Sequence, residues 1–111
     1  MKLNQTNLTK VCNVNNIKRY LIDNPTETFF DKGVFLIESC VVAKFLRDVF
    51  KTEISVSAGG AFVYNEDGKL MFSYKLSKSV SKLISKIDFL FLGQPTTAED
   101  VLAFLEQTNP W

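Results

Sequence analysis

The sequence contains no histidine among its 111 residues, and this absence removes much of the chemistry that enzymes use. Imidazole is the commonest general acid or base near neutral pH, the usual activator of serine and cysteine nucleophiles, and a frequent metal ligand. The acidic residues do not replace it, because they fall in predicted turns or near predicted helix ends, where local electrostatics accounts for them. We therefore expect a protein that is not an enzyme and that uses no metal or cofactor.

Cysteine and long apolar runs are scarce as well. Cys12 and Cys40 are too few for the disulfide framework of a secreted domain, and their spacing matches no zinc site. The N-terminus lacks the apolar segment of a signal peptide, and no apolar run reaches the roughly 20 residues that span a bilayer. The sequence predicts a soluble, cytoplasmic protein with reduced thiols and no membrane contact.

Neither sign of charge dominates, since the formal net charge is +1. The distribution is uneven, however: five lysines and no acid lie between Lys69 and Lys86, whereas four acids and no base lie between Ile87 and Trp111. The last third of the chain is therefore polarised, although the chain as a whole has no net attraction to nucleic acid or acidic membranes.

The strongest structural signal is a three-stranded antiparallel meander between Glu53 and Leu76. Its apolar residues alternate and are interrupted by two candidate three-residue loops, 58–60 and 66–68, which both end in the glycine that a type I turn with a G1 bulge requires. The predicted buried face consists of Ile54, Val56, Phe62, Tyr64, Leu70, Phe72, Tyr74 and Leu76. The predicted open face carries Ser55, Ser57, Ala61, Val63, Asn65, Lys69, Met71, Ser73 and Lys75.

A further hairpin is predicted over residues 28–37. Its loop, Asp31-Lys32-Gly33, also ends in glycine and pairs Thr28 with Leu36. A helix that begins at Val34 is the alternative, so the sequence leaves 34–38 open between a strand and the start of a helix.

The remaining elements follow from apolar residues at helical spacing. The expected helices are Val14–Leu21 ending before Asn24-Pro25, Cys40–Phe50 after the N-cap Ser39, one that follows Ser77 or Ser79, and one opened by Thr97 and Asp100. We therefore predict a single α+β domain over residues 1–111, with helices packed on one face of the antiparallel sheet.

The first candidate binding surface is a lysine stripe formed by Lys75, Lys78, Lys82 and Lys86. Like charges at this helical spacing repel one another by a few tenths of a kcal/mol per pair. Most such stripes are only solvated helix faces. A stripe with a function would contact phosphates or an acidic protein surface.

Two further candidates are apolar. On the predicted open face of the meander, Val63 and Met71 face each other within a polar rim, which is how protein-binding patches are built. An ordinary solvated sheet face is the plain alternative. Trp111, the last residue, is hard to bury and is the best candidate for an exposed aromatic anchor.

The layout of three packing segments, Ser39–Leu46, Ile54–Val56 and Tyr74–Asp88, resembles that of small uncharacterised proteins of phages and other mobile elements. In those proteins a helix that opens Cys-Pro-x-Ala-x-x-Leu precedes a strand, and a later helix closes on Phe or Ile before Asp. Here Val41 stands in place of the proline. The resemblance implies a compact protein that works by binding, as anti-CRISPR and other anti-defence inhibitors do.

Two hypotheses result. In the first, the chain is a small non-enzymatic protein-binding module that inhibits a host defence protein through the lysine stripe and an apolar anchor. In the second, it is a nucleic-acid-binding accessory protein that places the same lysines on phosphates. A homodimer formed through a sheet edge or through Val63 and Met71 is a further alternative.

Overall fold

The computed structural model describes residues 2–29, 41–57, 60–91 and 95–108, and its architecture is α+β, as predicted. The strands of the meander are antiparallel and adjacent in chain order, and a separate pair of short strands forms a second sheet. In chain order the elements are α1 (Gln5–Val11), α2 (Val14–Asp23), β1 (Thr28–Phe29), α3 (Val41–Phe50), β2 (Ile54–Ser57), β3 (Gly60–Tyr64), β4 (Leu70–Lys75), α4 (Lys78–Phe91), β5 (Thr96–Thr97) and α5 (Ala98–Thr108).

The first two helices begin with the same asparagine cap. The Oδ1 atoms of Asn4 and Asn13 each accept a hydrogen bond from the backbone N–H three residues later, at 2.8 and 2.9 Å. These bonds satisfy one of the amides that every helix N-terminus leaves unpaired. The predicted end of α2 is also confirmed, because the helix stops at Asp23, before Asn24-Pro25.

Two later helix starts are confirmed by side-chain caps. At the start of α4 the Ser77 Oγ accepts from the Val80 N–H at 3.3 Å, and at the start of α5 the Thr97 Oγ1 accepts from the Asp100 N–H at the same distance. Each cap residue precedes an apolar face that is buried, so capping and packing favour the same helix.

The pairing of β1 with β5 was not foreseen from the sequence. The two strands are antiparallel, and the segment leading into β1 also caps α5. The carbonyls of Pro25 and Glu27 accept hydrogen bonds from the backbone N–H groups of Glu99 and Ala98, at 3.1 and 2.8 Å. The start of α5 is therefore held by residues from a distant part of the chain.

Several predictions concern residues outside the described ranges. Of the hairpin predicted over 28–37, only β1 is described, and β1 pairs with β5. The choice between strand and helix over 34–38, the N-cap at Ser39 and the exposed aromatic at Trp111 also concern residues that the structure does not describe.

The register between β2 and β3 differs by one residue from the prediction. Ile54 pairs with Val63, and Ser57 with Gly60, whereas the predicted loop over 58–60 pairs Ile54 with Tyr64. Since side chains alternate between the faces of a strand, this difference turns β3 over. Ala61 and Val63 are fully buried, so the prediction that Val63 lies on the open face is wrong. Phe62 and Tyr64, predicted to be buried, are half-buried on the opposite face.

Gly60 also has a different role from the predicted one. It begins β3 instead of ending the loop, and a Cβ atom there would lie 3.0 Å from the backbone carbonyl oxygen of Tyr74. The close approach of two strands therefore accounts for this glycine.

The second turn of the meander has the predicted form. Gly68 adopts a left-handed φ of 80°, which few other residues tolerate. The Asn65 Oδ1 accepts hydrogen bonds from the backbone N–H groups of Asp67 and Lys69, both at 2.9 Å. These contacts fix the three-residue loop over 66–68.

A β-bulge interrupts β4 just after this turn. Tyr64 pairs with Leu70 as predicted, but Val63 pairs with Phe72, which leaves Met71 as an extra residue. A bulge bends its strand and changes the direction of nearby side chains. Met71, the extra residue, is 59% exposed, and Leu70, which pairs with Tyr64 on the outer face, is 56% exposed, so the prediction that Leu70 belongs to the buried face is wrong.

The inner face of the meander and the helices share a continuous apolar core. The outer face is uneven, because Ser55 on β2 is buried whereas Ser73 on β4 is exposed. Fully or almost fully buried core residues include Ile54, Val56, Ala61 and Val63 from the sheet and Leu8, Ile17, Leu21, Leu46, Val80, Leu83, Ile87, Val101 and Leu105 from the helices.

The observed register can be tested with a matched pair of threonine variants. Val63→Thr places a hydroxyl in the core and is expected to lower the free energy of unfolding by about 1–3 kcal/mol. Met71→Thr changes an exposed side chain and is expected to stay within about 0.5 kcal/mol of the parent. Urea unfolding measures both, and equal losses in the two variants would contradict the register described above.

Candidate partner-binding surface

Among the described residues, three large apolar side chains are exposed, and two of them are neighbours in the chain. Leu70 and Met71 lie together on β4, whereas Ile22, which is 52% exposed, lies apart from them on α2. Single exposed apolar residues are common on protein surfaces, but contiguous apolar surface marks sites of interaction. The pair on β4 is therefore the better candidate site.

Two half-buried aromatic side chains extend this apolar pair. Tyr64 is the partner of Leu70 across the β3–β4 ladder, and Phe62 lies on the same face of β3 two residues earlier. We refer to Phe62, Tyr64, Leu70 and Met71 as the outer apolar patch. It occupies the side of the meander opposite to the shared core.

Lysines lie before, at the end of and after β4, the strand that carries Leu70 and Met71. Lys69 precedes β4, Lys75 is its last residue, and Lys78 and Lys82 follow at the start of α4; all four are exposed, whereas Lys86 is half-buried. Within the described ranges, none of these side chains forms an ion pair. The repulsion between them is therefore uncompensated there, and a partner with acidic groups would relieve it.

A second acid-free part of the chain meets this region. Residues 2–22 contain four bases and no acid. The Tyr74 hydroxyl donates a hydrogen bond to the Thr9 Oγ1 at 3.1 Å, which joins β4 to α1. This contact, on the inner face of the meander, links the strand that ends at Lys75 to the helix that carries Lys10.

Two lysines on other elements form ion pairs. Lys18 of α2 pairs with Glu106 of α5 at 3.3 Å. Lys44 of α3 pairs with Glu27 at 3.4 Å and donates to the Thr28 carbonyl, and its Nζ lies 5.7 Å from the centre of the Phe29 ring. These cations hold helices and β1 together, in contrast to the lysines near the outer apolar patch.

The described residues contain a buried thiol, but it lacks the surroundings of a nucleophile. Burial raises the pKa of Cys12 to about 12, which leaves the thiol protonated and weakly reactive at neutral pH. The side chain belongs to the shared core and packs there as a small apolar group.

The phenol of Tyr20 is a structural group. Burial, and then the hydrogen bond that its hydroxyl donates to the Asp48 Oδ2 at 2.9 Å, raise the pKa of Tyr20 well above its usual value. Its ring packs against Phe29 and Phe45, with centre-to-centre distances of 6.5 and 5.4 Å. The residue joins α2 to α3 and is not poised to exchange a proton near neutral pH.

A shallow cleft of about 330 Å³ opens beside Tyr20 between α2 and α3. Two of its amide side chains are already engaged, because Asn16 donates to the Val11 carbonyl and Asn24 to the Tyr20 carbonyl. The remaining lining is Arg19, Asp23, Phe45 and Val49. The cleft thus has an apolar floor, and it contains no nucleophile paired with a base.

The described part of the chain offers no metal centre. No three side chains of His, Cys, Asp or Glu come close enough there to hold an ion. Of the helices in the described ranges, none has the length and apolarity needed to cross a membrane.

Comparisons with protein families, curated proteins and solved structures found no match to this chain. What this protein can do has therefore to follow from the positions of its own side chains. Lys86 lies further along α4 and is half-buried, while Val63 is in the core and Trp111 is outside the described residues. Four of the residues predicted to bind a partner are exposed on β4 or at the start of α4: Lys75, Lys78, Lys82 and Met71.

Leu70 belongs to the candidate surface but was assigned to the core from the sequence. It pairs with Tyr64, so the register that turns Tyr64 to the outer face of β3 also turns Leu70 outward, and the bulge at Met71 follows directly after it. Alternation of apolar residues gives no sign of this register, so periodicity alone could not have identified Leu70.

The buried thiol predicts a loss of stability at high pH. The pKa of Cys12 is near 9 in the unfolded chain and about 12 in the folded protein. The contribution of this thiol to the free energy of unfolding is therefore complete below pH 9 and is lost as the pH rises toward 12. In a Cys40→Ser background, the free energy of unfolding should fall between pH 8 and 10.5 by about 2 kcal/mol more than in Cys12→Ala/Cys40→Ser. Urea unfolding at the two pH values measures this difference, and equal losses would refute it.

Proposed function

We propose that this protein is a small, non-enzymatic protein-binding module whose contact surface is the outer apolar patch with its neighbouring lysines. The adjacent exposure of Leu70 and Met71 on a sheet strand is the observation that carries this proposal. Burying these side chains against a partner contributes roughly 25 cal/mol per Å² of apolar surface removed from water. A patch of this kind surrounded by charge has the anatomy of a protein interface.

The charges next to the patch indicate an acidic partner surface. Lys69, Lys75, Lys78 and Lys82 are exposed and have no ion-pair partner among the described residues. An acidic surface would pair with them and would also speed association through electrostatic attraction. The apolar patch then supplies the binding energy, and the lysines supply orientation and specificity.

The class of partner that we propose is a host defence protein met in the cytoplasm. This part of the proposal is supported by the resemblance to small uncharacterised proteins of phages and mobile elements, which implies a protein that works by binding. Occupation of a functional surface would inhibit such a partner without any chemical step.

Nucleic-acid binding is the second candidate, and the bases of residues 2–22, among them Lys10 of α1, favour it. The contact between Tyr74 and Thr9 adds a second acid-free segment to the lysines of β4 and α4. The affinity of a surface that binds phosphates would fall steeply as salt concentration rises. The affinity of an interface anchored by Leu70 and Met71 would fall only modestly.

The apolar anchor can be tested by Leu70→Ser/Met71→Ser. Tagged protein is incubated with nuclease-treated host lysate, and retained proteins are identified and quantified by mass spectrometry. The parent should retain a specific partner, and the amount retained by the double variant should be at least about tenfold lower, since central apolar anchors dominate binding energy. Ile22→Ser is the matched control, because it removes an equally exposed apolar side chain from another surface and should retain the partner.

The lysines are tested separately by Lys78→Glu/Lys82→Glu/Lys86→Glu. We expect this variant to bind the same partner more weakly than the parent does at low salt. At high salt, where charge is screened, the two should bind it about equally. If the variant retains the partner as well as the parent does at every salt concentration, the lysine stripe is only a solvated helix face. A partner set that disappears on nuclease treatment would instead favour the nucleic-acid candidate.

A further inference from the structure

We infer that the partner contributes an acidic, extended segment that adds as a strand to the free edge of β4. This inference rests on the proposed function and specifies both the chemistry and the conformation of the partner. β4 is the last strand in the order β2-β3-β4, and β3 is its only strand partner in the described ranges. An edge strand offers a row of backbone donors and acceptors to another chain.

Hydrogen bonds in the meander show which groups of β3 point toward β4. The Tyr64 N–H donates to the Glu53 carbonyl on the β2 side, at 3.2 Å. The next residue, Asn65, donates its N–H to the Lys69 carbonyl on the β4 side, at 2.9 Å. Since backbone direction alternates along a strand, the odd-numbered residues of β3 point toward β4.

The same alternation identifies the free groups of β4. Phe72 and Tyr74 are the partners of the odd-numbered β3 residues and direct their backbone groups inward, in agreement with the position of the Tyr74 carbonyl oxygen beside Gly60. The N–H and C=O groups of Ser73 and Lys75 therefore point away from β3. They are the groups that an added strand would bind.

Charge distinguishes an acidic strand from a second copy of this chain. A second copy of β4 would bring another Lys69 and Lys75 to the shared edge, and residues 69–86 would contribute no acid to balance them. The accumulated like charge opposes such a pairing. The same two lysines would attract acidic side chains near the ends of a partner strand.

Protection of a sheet edge against association does not account for all the exposed residues of β4. Lysines and a bulge are common ways of preventing edge-to-edge association. They do not explain why Leu70 and Met71 are exposed beside the lysines. An added strand with apolar side chains on one face would cover both residues.

The decisive variant is Ser73→Pro. Proline removes an N–H that points away from β3 and leaves the ladder with β3 intact, which is a position where edge strands accept proline. Ser73→Ala is the matched control, because it removes the exposed hydroxyl and keeps the N–H. Thermal unfolding establishes that both variants are folded.

The probe is a random peptide library selected against the parent protein. Enriched peptides are labelled and titrated against each variant by fluorescence anisotropy, with single-stranded oligothymidylate as a nucleic-acid probe. We expect enriched peptides to combine Asp or Glu with alternating apolar residues. Their affinity should fall at least tenfold with Ser73→Pro and remain unchanged with Ser73→Ala.

Amide exchange on the parent, which does not depend on the proline variant, should show protection of Ser73 and Lys75 when peptide is bound.

Several results would overturn strand addition. These are a library that enriches no peptide, enriched peptides without acids, equal affinity for Ser73→Pro and parent, or unprotected amides at Ser73 and Lys75. Binding of oligothymidylate in place of peptides would also overturn it. If a host partner is still lost with Leu70→Ser/Met71→Ser, the proposed function stands and only the mode of binding fails. If that variant retains every partner, both proposals fail.

Discussion

The register between β2 and β3 determines which side chains of the meander reach the core. Ser57 pairs with Gly60, so Ile54 and Val63 share one ladder position and both are buried. A shift of one residue would exchange the faces of β3, sending Phe62 and Tyr64 inward and Val63 to solvent. The composition of the outer apolar patch, and of the candidate surface built on it, is therefore a consequence of this register.

Sequence patterns were most informative where a local rule decides the structure. The stop of α2 at Pro25, the cap of α4 at Ser77 and the left-handed Gly68 each depend on interactions among a few neighbouring residues. The buried faces of the helices likewise follow from apolar spacing, because a helix repeats its orientation regularly. Such features need no knowledge of the rest of the chain.

Features set by contacts between distant segments could not be read from the sequence. Glycine at 59 and 60 is compatible with loops of either length, and the choice depends on how closely β3 can approach Tyr74. The bulge at Met71 has the same origin, since it reflects the pairing of two strands. This is why Met71 and the lysines of the stripe were placed on the surface from the sequence, whereas Phe62, Tyr64 and Leu70 were assigned to the wrong face.

The contact between the start of α5 and residues 25–29 has a consequence for the order in which the protein folds. The meander and α4 are built from neighbouring segments and can form early, because closing short loops has a small entropic cost. The first amides of α5 find their carbonyl partners at Pro25 and Glu27, near the opposite end of the described chain. During synthesis on the ribosome this contact cannot form until α5 has emerged. The packing of β1 and α2 is therefore completed only after residues 98–108 have been made.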